Sequence, residues 1–364
     1  MARLAVIGLG YWGPNLVRNF HAALGEDLRI VCDQSVERVQ AIARGYPTAQ
    51  PTVNAAEVFA NKEIDAVAIA TPVATHFPLA KAALQAGKSV FIEKPLASSV
   101  AEAEELVDLA KQKGLVLMVD HVFVHNNAVK KIKELSDSGD IGKLLYIDSV
   151  RINLGKIQND VNVVWDLAPH DISIVDYIVG RLPLSVAAHG ATHTEQGLQD
   201  VAYVHLDFGD GLIANFHVNW LSPVKIRYTI VGGSEKSIVF NDLHPAELVK
   251  VFDSGVVVRR ENLEDRRRLL VDYRTGDTWS PHIPRVEPLM NAARDFIDCV
   301  DNGGTPLTDG EAGLRIVRVL EAIQQSIQRN GECIRISASK INTTTCSIPP
   351  LDVHYEGLSP LPTT

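Results

Sequence analysis

Three stretches of this sequence combine residue types suited to moving a proton beside a developing negative charge. "FIEKP" at 91–95 closes an apolar run with Glu93 and Lys94 ahead of a proline. Lysine is rarely buried without a partner. Lys94 therefore reads either as half of a surface pair with Glu93 or as an ammonium directed into a cleft, where it would stabilise an alkoxide or lower the pKa of a nearby base. Its position at a strand end favours the cleft. "WDLAPHDIS" carries Asp166 and His170 four residues apart on the opening turns of a helix, so that both side chains share one face. Imidazole titrates near neutrality and can take a hydroxyl proton while the same carbon gives up a hydride. Asp166 could orient the ring or hold a hydroxyl. The chain has twelve histidines, and an isolated one is ordinarily packed or exposed, so spacing alone leaves both readings of His170 open. "IATPVATH" at 69–76 adds a turn at Thr71 and Pro72, a helix cap at Thr75 and His76 at a helix start.

A hydride needs an acceptor, and the first residues offer a place for one. "LAVIGLGYWGPNLVRNF" breaks an apolar run at Gly8, Gly10 and Gly13 and resumes with helical spacing. Pro14 suits the first helical turn, where its missing N–H costs nothing. In a strand–loop–helix of this form Gly8 makes the turn, Gly10 lets the backbone approach a pyrophosphate and Gly13 lets helix and strand pack closely. Tyr11 and Trp12 lie inside the loop. Asp33, twenty residues beyond Gly13, is placed to accept the adenosine ribose hydroxyls and to repel a 2'-phosphate, which favours NAD over NADP. The competing reading is a glycine turn in a sheet protein that binds no dinucleotide.

These residues need a scaffold, and the pattern supplies one. "LAVIG", "LRIVCD", "IDAVAIA", "SVFIEK" and "LVLMVD" read as strands buried on both faces, while 14–24, 35–44, 75–86 and 98–113 have helical periodicity. Such alternation predicts βαβ units and a doubly wound parallel sheet. Beyond about residue 143, "KLLYIDSVRINL", "VAYVHLDF", "LIANFHVNW" and "KIRYTIVG" alternate as in antiparallel strands, and "FGDG" joins two of them as a hairpin. The helix holding Asp166 and His170 interrupts this region and ends at Gly180. Two amphipathic helices, "VEPLMNAARDFIDCVDNG" and "DGEAGLRIVRVLEAIQQSIQRNG", each close on Asn-Gly and are expected to pack back on one of the domains. The reading is an α/β protein of two domains, 1–122 and 123–336, followed at 337–364 by a Ser/Thr/Pro-containing tail or arm.

Bulk properties exclude several classes. With 364 residues, 46% hydrophobic and 22% charged, the chain is long enough for two packed cores. A net charge of -9 argues against nucleic-acid binding. Four cysteines without CxxC spacing fit reduced thiols, no metal site is suggested, and no apolar run is long enough to span a bilayer, so a cytoplasmic location is expected.

Taken in order, "GLGYWG" with Asp33, "ATPVATH", "EKP" and the Asp-x-x-x-His of "DLAPH" resemble the glucose-fructose oxidoreductase and inositol dehydrogenase family, Gfo/Idh/MocA. The resemblance continues through "NWLSPVKIRYTIVGG" to about residue 335. It implies a Rossmann domain, a C-terminal domain with an open, mostly antiparallel sheet that often mediates homo-oligomers, and NAD as cofactor. It also implies that Lys94 and His170 flank the reacting carbon, with Asp166 nearby. The cofactor set it implies is Gly8, Gly10, Tyr11, Trp12, Gly13, Asp33, Thr71, Pro72, His76, Glu93 and Lys94. The implied substrate is a polyol, sugar or nucleotide sugar, and the wording of "GYWGPNLVRNF" and "WDLAPHDISI" is similar to members acting on UDP-N-acetylglucosamine-type sugars. Arg151, Asn153, Lys156, Asn162, Lys225, Arg227 and Tyr273 join Lys94, Asp166 and His170 as substrate-binding candidates, each with a surface reading of equal weight. Where many relatives have an acid three residues after the histidine, this chain has Ser173, with Asp171 as the acid.

Overall fold

The computed structural model describes residues 1–336 other than 156, 159, 195, 196 and 260–269. The tail from 337, Cys346 and Lys156 lie outside the described residues.

Six strands form the N-terminal sheet: β1 (Leu4–Ile7), β2 (Leu28–Cys32), β3 (Gln50–Thr52), β4 (Ala66–Ile69), β5 (Ser89–Glu93) and β6 (Leu117–Asp120). All pairings are parallel, in the order β3-β2-β1-β4-β5-β6. The helices between them are α1 (Gly13–Leu24), α2 (Val36–Ala43), α3 (Ala55–Ala60), α4 (His76–Gln85) and α5 (Val100–Lys113). Because both faces are covered, successive residues of one strand enter different cores. Leu4, Val6, Ala68, Phe91 and Met118 share a cluster with α1, whereas Ala5, Ile7, Ile69, Val90, Ile92 and Val119 share one with α4 and α5. The order reverses between β1 and β4, which opens a crevice at the carboxyl ends of the strands.

The second sheet has nine strands: β7 (Leu144–Leu154), β8 (Ser185–Ala191), β9 (Val201–Asp207), β10 (Ile213–Asn219), β11 (Leu221–Gly233), β12 (Ser237–Asn241), β13 (Val249–Arg259), β14 (Leu270–Trp279) and β15 (Ile334–Arg335). Their order is β14-β13-β12-β11-β7-β10-β9-β8-β15, antiparallel except for the central β7–β10 pair. The "FGDG" hairpin joins β9 to β10, with Gly209, Asp210 and Gly211 all at positive φ. Helices α6 (Asn127–Asp137) and α7 (Val163–Val179) pack on this half, and α7 ends at Gly180 in the left-handed conformation, φ 74°.

The two C-terminal helices do different work. α8 (Pro288–Asn302) completes the N-terminal sheet's first core, with Phe296 edge-on to Phe20 and Phe91 at centroid distances of 6.2 and 5.6 Å. α9 (Gly310–Gln328) bridges both halves. Its Leu314 and Val317 enter the α4/α5 core, and Ile316, Leu320, Ile323 and Ile327 enter the core under the nine-stranded sheet.

Candidate functional site

The glycine loop has three distinct steric environments. A Cβ on Gly8, at φ 94°, would lie 2.5 Å from the Ala70 carbonyl oxygen, and one on Gly13 would lie 2.0 Å from that of Gly8. One on Gly10 would meet nothing within 4 Å. Gly8 and Gly13 are therefore required by the fold, while Gly10 borders open space, as a cradle for a pyrophosphate at the α1 N-terminus demands. Asp33 is held at the end of β2. Its Oδ2 accepts the Leu9 N–H at 2.7 Å, Oδ1 accepts that of Ser35 at 2.9 Å, and Arg38 lies 3.7 Å away. The loop and the acid that reads the ribose are thus one hydrogen-bonded unit, and the residues fit a dinucleotide. Tyr11 projects from this loop and is 88% exposed.

At the next strand ends, His76 is buried between backbone carbonyls, with Nδ1 2.8 Å from Pro95 oxygen and Nε2 2.9 Å from that of Thr71. It ties the connection after β4 to the one after β5. Burial pushes its pKa below the usual value, so a neutral ring donates to one carbonyl at a time. Its reading as a direct cofactor contact becomes that of a brace behind Thr71 and Lys94. Glu93 and Asp120 end adjacent strands in register. Burial first, then the proximity of Asp120, drives the Glu93 carboxyl well above its normal range, and burial raises Asp120 as well. Two buried carboxyls so placed share a proton. Trp12 Nε1 donates to Asp120 Oδ2 at 3.3 Å, which fixes the indole over the strand ends.

Lys94 and Asp166 meet across the two halves. Lys94 Nζ donates to the Asp166 carbonyl at 2.7 Å and to its Oδ1 at 3.2 Å. Pro169, inside α7, withdraws one backbone donor from this turn. The other Asp166 oxygen, Oδ2, accepts Trp220 Nε1 at 3.1 Å. Asp166 is thereby clamped between a cation and an indole. One turn on, the His170 ring packs edge-on to Phe123 at 5.1 Å, and its Nδ1 is buried without a partner among the described residues. Burial, then the charges of Lys94 and Arg151, hold His170 well below the usual histidine pKa, so at neutral pH it is an uncharged base.

The structure sorts the remaining candidates. Arg151 is 3% exposed and paired through two bonds, at 2.8 and 3.0 Å, to the buried Asp171, whose Oδ1 also accepts Ser149 Oγ. Its guanidinium stacks on Phe123 at 4.5 Å, behind His170. It is support for the site, and the acid next to His170 in sequence is its counter-ion. Asn162 caps α7, accepting the N–H groups of Val164 and Trp165 while donating to Gln199 and Gln324. The Asn162 amide thus has no hydrogen-bonding capacity left for a ligand, and Arg151 is withheld from one by burial and by its pairing with Asp171. Tyr273 is on the edge strand β14, four positions from β7, or roughly 19 Å at normal strand spacing, and is 76% exposed. It is not brought to the cleft of its own chain. Asn153 is brought close: its amide and the Trp220 indole both flank Gly155. Arg227 is bonded to Asp242 at 3.1 Å, yet its Nε is buried and unpartnered among the described residues, and its charge reaches His170. Trp220, Phe123 and His121 were not legible as site residues. Each sits inside an ordinary apolar segment, and only the pairing of distant segments brings them to the cleft.

Among the described residues no group of three or more His, Cys, Asp or Glu is arranged for a metal ion, and no helix is long and apolar enough to cross a membrane. A cavity of about 670 Å³ lies at the opposite end of the N-terminal sheet, lined by Lys88, Gly114, Cys299 and Gly310, away from this constellation.

Comparison with known proteins agrees with the geometry. Residues 2–121 match the family model described as the oxidoreductase family, NAD-binding Rossmann fold, and residues 129–239 match the GFO/IDH/MocA C-terminal domain. The chain is 27% identical over 351 residues to the UDP-N-acetylglucosamine 3-dehydrogenase of Acidithiobacillus ferrooxidans, covering 90% of this chain and 99% of that one. It is 26% identical over 355 residues to the scyllo-inositol 2-dehydrogenase (NAD(+)) of Bacillus subtilis, covering 94% and 98%. A levoglucosan dehydrogenase solved with NADH and levoglucosan superposes with a TM-score of 0.77 at 21% identity, covering 92% and 99%.

Proposed function

Because the chain belongs to the Gfo/Idh/MocA oxidoreductase family and carries an NAD-binding Rossmann domain, we propose that it oxidises a secondary hydroxyl of a sugar to a ketone, with a UDP-N-acetylglucosamine-type nucleotide sugar, at C3, as substrate. The observation that carries the reading is the clamp of Lys94 on Asp166 with an uncharged His170 one turn away, at the strand ends beside the glycine loop.

In this mechanism Gly8, Gly10, Gly13 and Asp33 seat NAD, which supplies the hydride acceptor. His170, neutral at rest, accepts the hydroxyl proton. The Lys94 ammonium stabilises the oxygen as it gains negative charge, and makes the hydroxyl more acidic before transfer. Asp166 holds Lys94 at the correct height and is itself fixed by Trp220. Asn153 contacts the sugar. Arg227, with a buried Nε unpartnered among the described residues, and the exposed Lys225 two residues earlier offer positive charge for a diphosphate, which favours a nucleotide sugar over a free polyol. The nine-stranded sheet leaves Tyr203, 57% exposed and stacked on His217, on an open face, which supports self-association there.

The test is absorbance at 340 nm with NAD or NADP against free polyols, free sugars and UDP- or dTDP-sugars. Turnover of UDP-N-acetylhexosamines with NAD is expected. Turnover restricted to inositol or free sugars would replace the nucleotide-sugar assignment, and NADH consumption restricted to keto-sugars would reverse the direction. Absence of any turnover despite NAD binding would replace the enzyme with a dinucleotide sensor.

A further inference from the structure

His121 follows the last residue of β6 and is 1% exposed, yet neither ring nitrogen has a hydrogen-bond partner among the described residues. Buried polar groups are ordinarily hydrogen-bonded, so these two nitrogens call for a partner that the described protein atoms do not supply. The ring borders a cavity of about 190 Å³ that is also lined by Ser173, Asp176, Tyr177, Thr308 and Arg315. Water occupies about 30 Å³ in the liquid, so a cavity of this size, with these polar groups in its otherwise apolar wall, accommodates several molecules.

The cavity's course is set by α7. Ser173, Asp176, Tyr177 and Gly180 follow His170 at three, six, seven and ten residues, which is one stripe of a helix headed by His170. The far end is closed by Arg315 and Asp176, paired at 2.7 Å, with 37% and 12% of their side chains exposed. His170 does not itself line the cavity, but its Nδ1 is buried and unpartnered among the described residues, and His121, which does line it, is close enough for its charge to act on the His170 ring. His121 therefore stands between the proposed base and a cavity whose far side holds the part-exposed Arg315–Asp176 pair.

We propose that His121 is a proton relay, which passes the proton taken up by His170 through the water of this cavity to Asp176 and the solvent. The inference rests on the dehydrogenase reading. The hydroxyl O–H bond breaks and its proton joins the His170 ring, while the hydride and its electron pair leave the carbon for the nicotinamide of NAD. His170 then releases a proton from Nδ1 to His121, directly or through one water, and His121 releases one from its other nitrogen to the cavity. One proton reaches solvent per turnover; each ring is left holding the proton it received, and after the product leaves each resets by giving that proton to water and taking one back on its other nitrogen, with no net gain or loss. Burial and the charges of Lys94, His125 and Arg315 push His121 down to about 3, and His170 is depressed by burial and by Lys94, so neither ring retains the proton at pH 7.

Two measurements test the relay. In NAD-loaded protein carrying 15N-histidine, exchange of the His170 ring N–H with solvent should slow at least tenfold in His121→Phe relative to wild type, with His121→Gln as a second variant should Phe not fold. With a sugar that the wild type turns over, His121→Phe should lower kcat about 100-fold with KM and NAD affinity unchanged, and His121→Ala should recover activity on adding imidazole. Unchanged exchange and unchanged kcat would overturn the relay. If no sugar is turned over, the dehydrogenase reading fails, and the exchange measurement still decides whether His121 connects His170 to solvent.

Discussion

Replacing Gly10 and Gly13 singly with alanine separates a cofactor cradle from a mere turn. At Gly13 the added Cβ falls 2.0 Å from the Gly8 carbonyl oxygen, a backbone atom that moves only by displacing α1 from β1. A loss of several kcal/mol is expected. With about 1 kcal/mol corresponding to 2–4 °C in domains of this size, Tm should drop by roughly 10 °C. At Gly10 the Cβ meets no atom within 4 Å and φ is not in the left-handed region, so no strain arises. Alanine there restricts the unfolded chain and should hold or raise stability, by about 0.4–1 kcal/mol. The same Cβ would stand where the pyrophosphate must touch the backbone. NAD affinity should fall at least tenfold, or about 1.4 kcal/mol. Thermal unfolding without NAD and calorimetric titration with NAD read the two effects separately. Wild-type NAD affinity in Gly10→Ala would refute the reasoning, because the cofactor would then not pass over that residue.

Other perturbations address the catalytic groups and their supports. Lys94→Met should cut kcat by about 10²–10³ while NAD binding is retained; equal losses in both would remove its catalytic assignment. Arg151→Met should destabilise the protein by about 3–5 kcal/mol, because it strands the buried Asp171 carboxylate; an unchanged Tm with a raised KM would return Arg151 to the substrate. Stability should fall as pH drops through about 6.5, since His76, His121, His125 and His170 are all held below that value, and the unfolded chain takes up protons that the folded one refuses. Glu93 and Asp120 act in the opposite sense, because their raised values make their contribution present at low pH and lost as pH rises, but the proton they share is outweighed by four histidines. A Tm flat between pH 5 and 8 would contradict the burial of neutral rings.

The sequence was most legible where one local feature decides the structure. Apolar runs gave β1, β2, β4, β5 and β6, and Gly180 marked the end of α7. It was opaque where neighbours decide. β3 is three residues, Gln-Pro-Thr, exposed at an edge and held by pairing with β2, so no pattern within it announces a strand. α3, only six residues long with Val58 as its one buried residue, is too short to display a helical period. The partnership of Lys94 with Asp166 joins residues seventy-two apart, and motif spacing named both without showing that they touch. Arg151, Asn162 and Tyr273 show the reverse failure. Their side-chain chemistry suits a ligand, but a buried carboxylate, a helix N-terminus and a distant edge strand claim them instead.

The position of α8 shapes how the chain must be synthesised. Leu4, Val6, Ala68, Phe91 and Met118 are all translated by residue 118, but α8, which packs on them with Leu289, Ala293 and Phe296, begins only at Pro288. At about 5–20 residues per second the ribosome needs roughly 10–35 s to cover that interval. For that time one face of the nucleotide-binding sheet is covered by α1 and α2 without α8, and the nascent N-terminal half presents the remaining apolar surface to chaperones and to its own neighbours on the polysome. α8 and α9 then complete the clusters they enter, so the packing behind the cofactor cradle matures only after residues far downstream of it have been made.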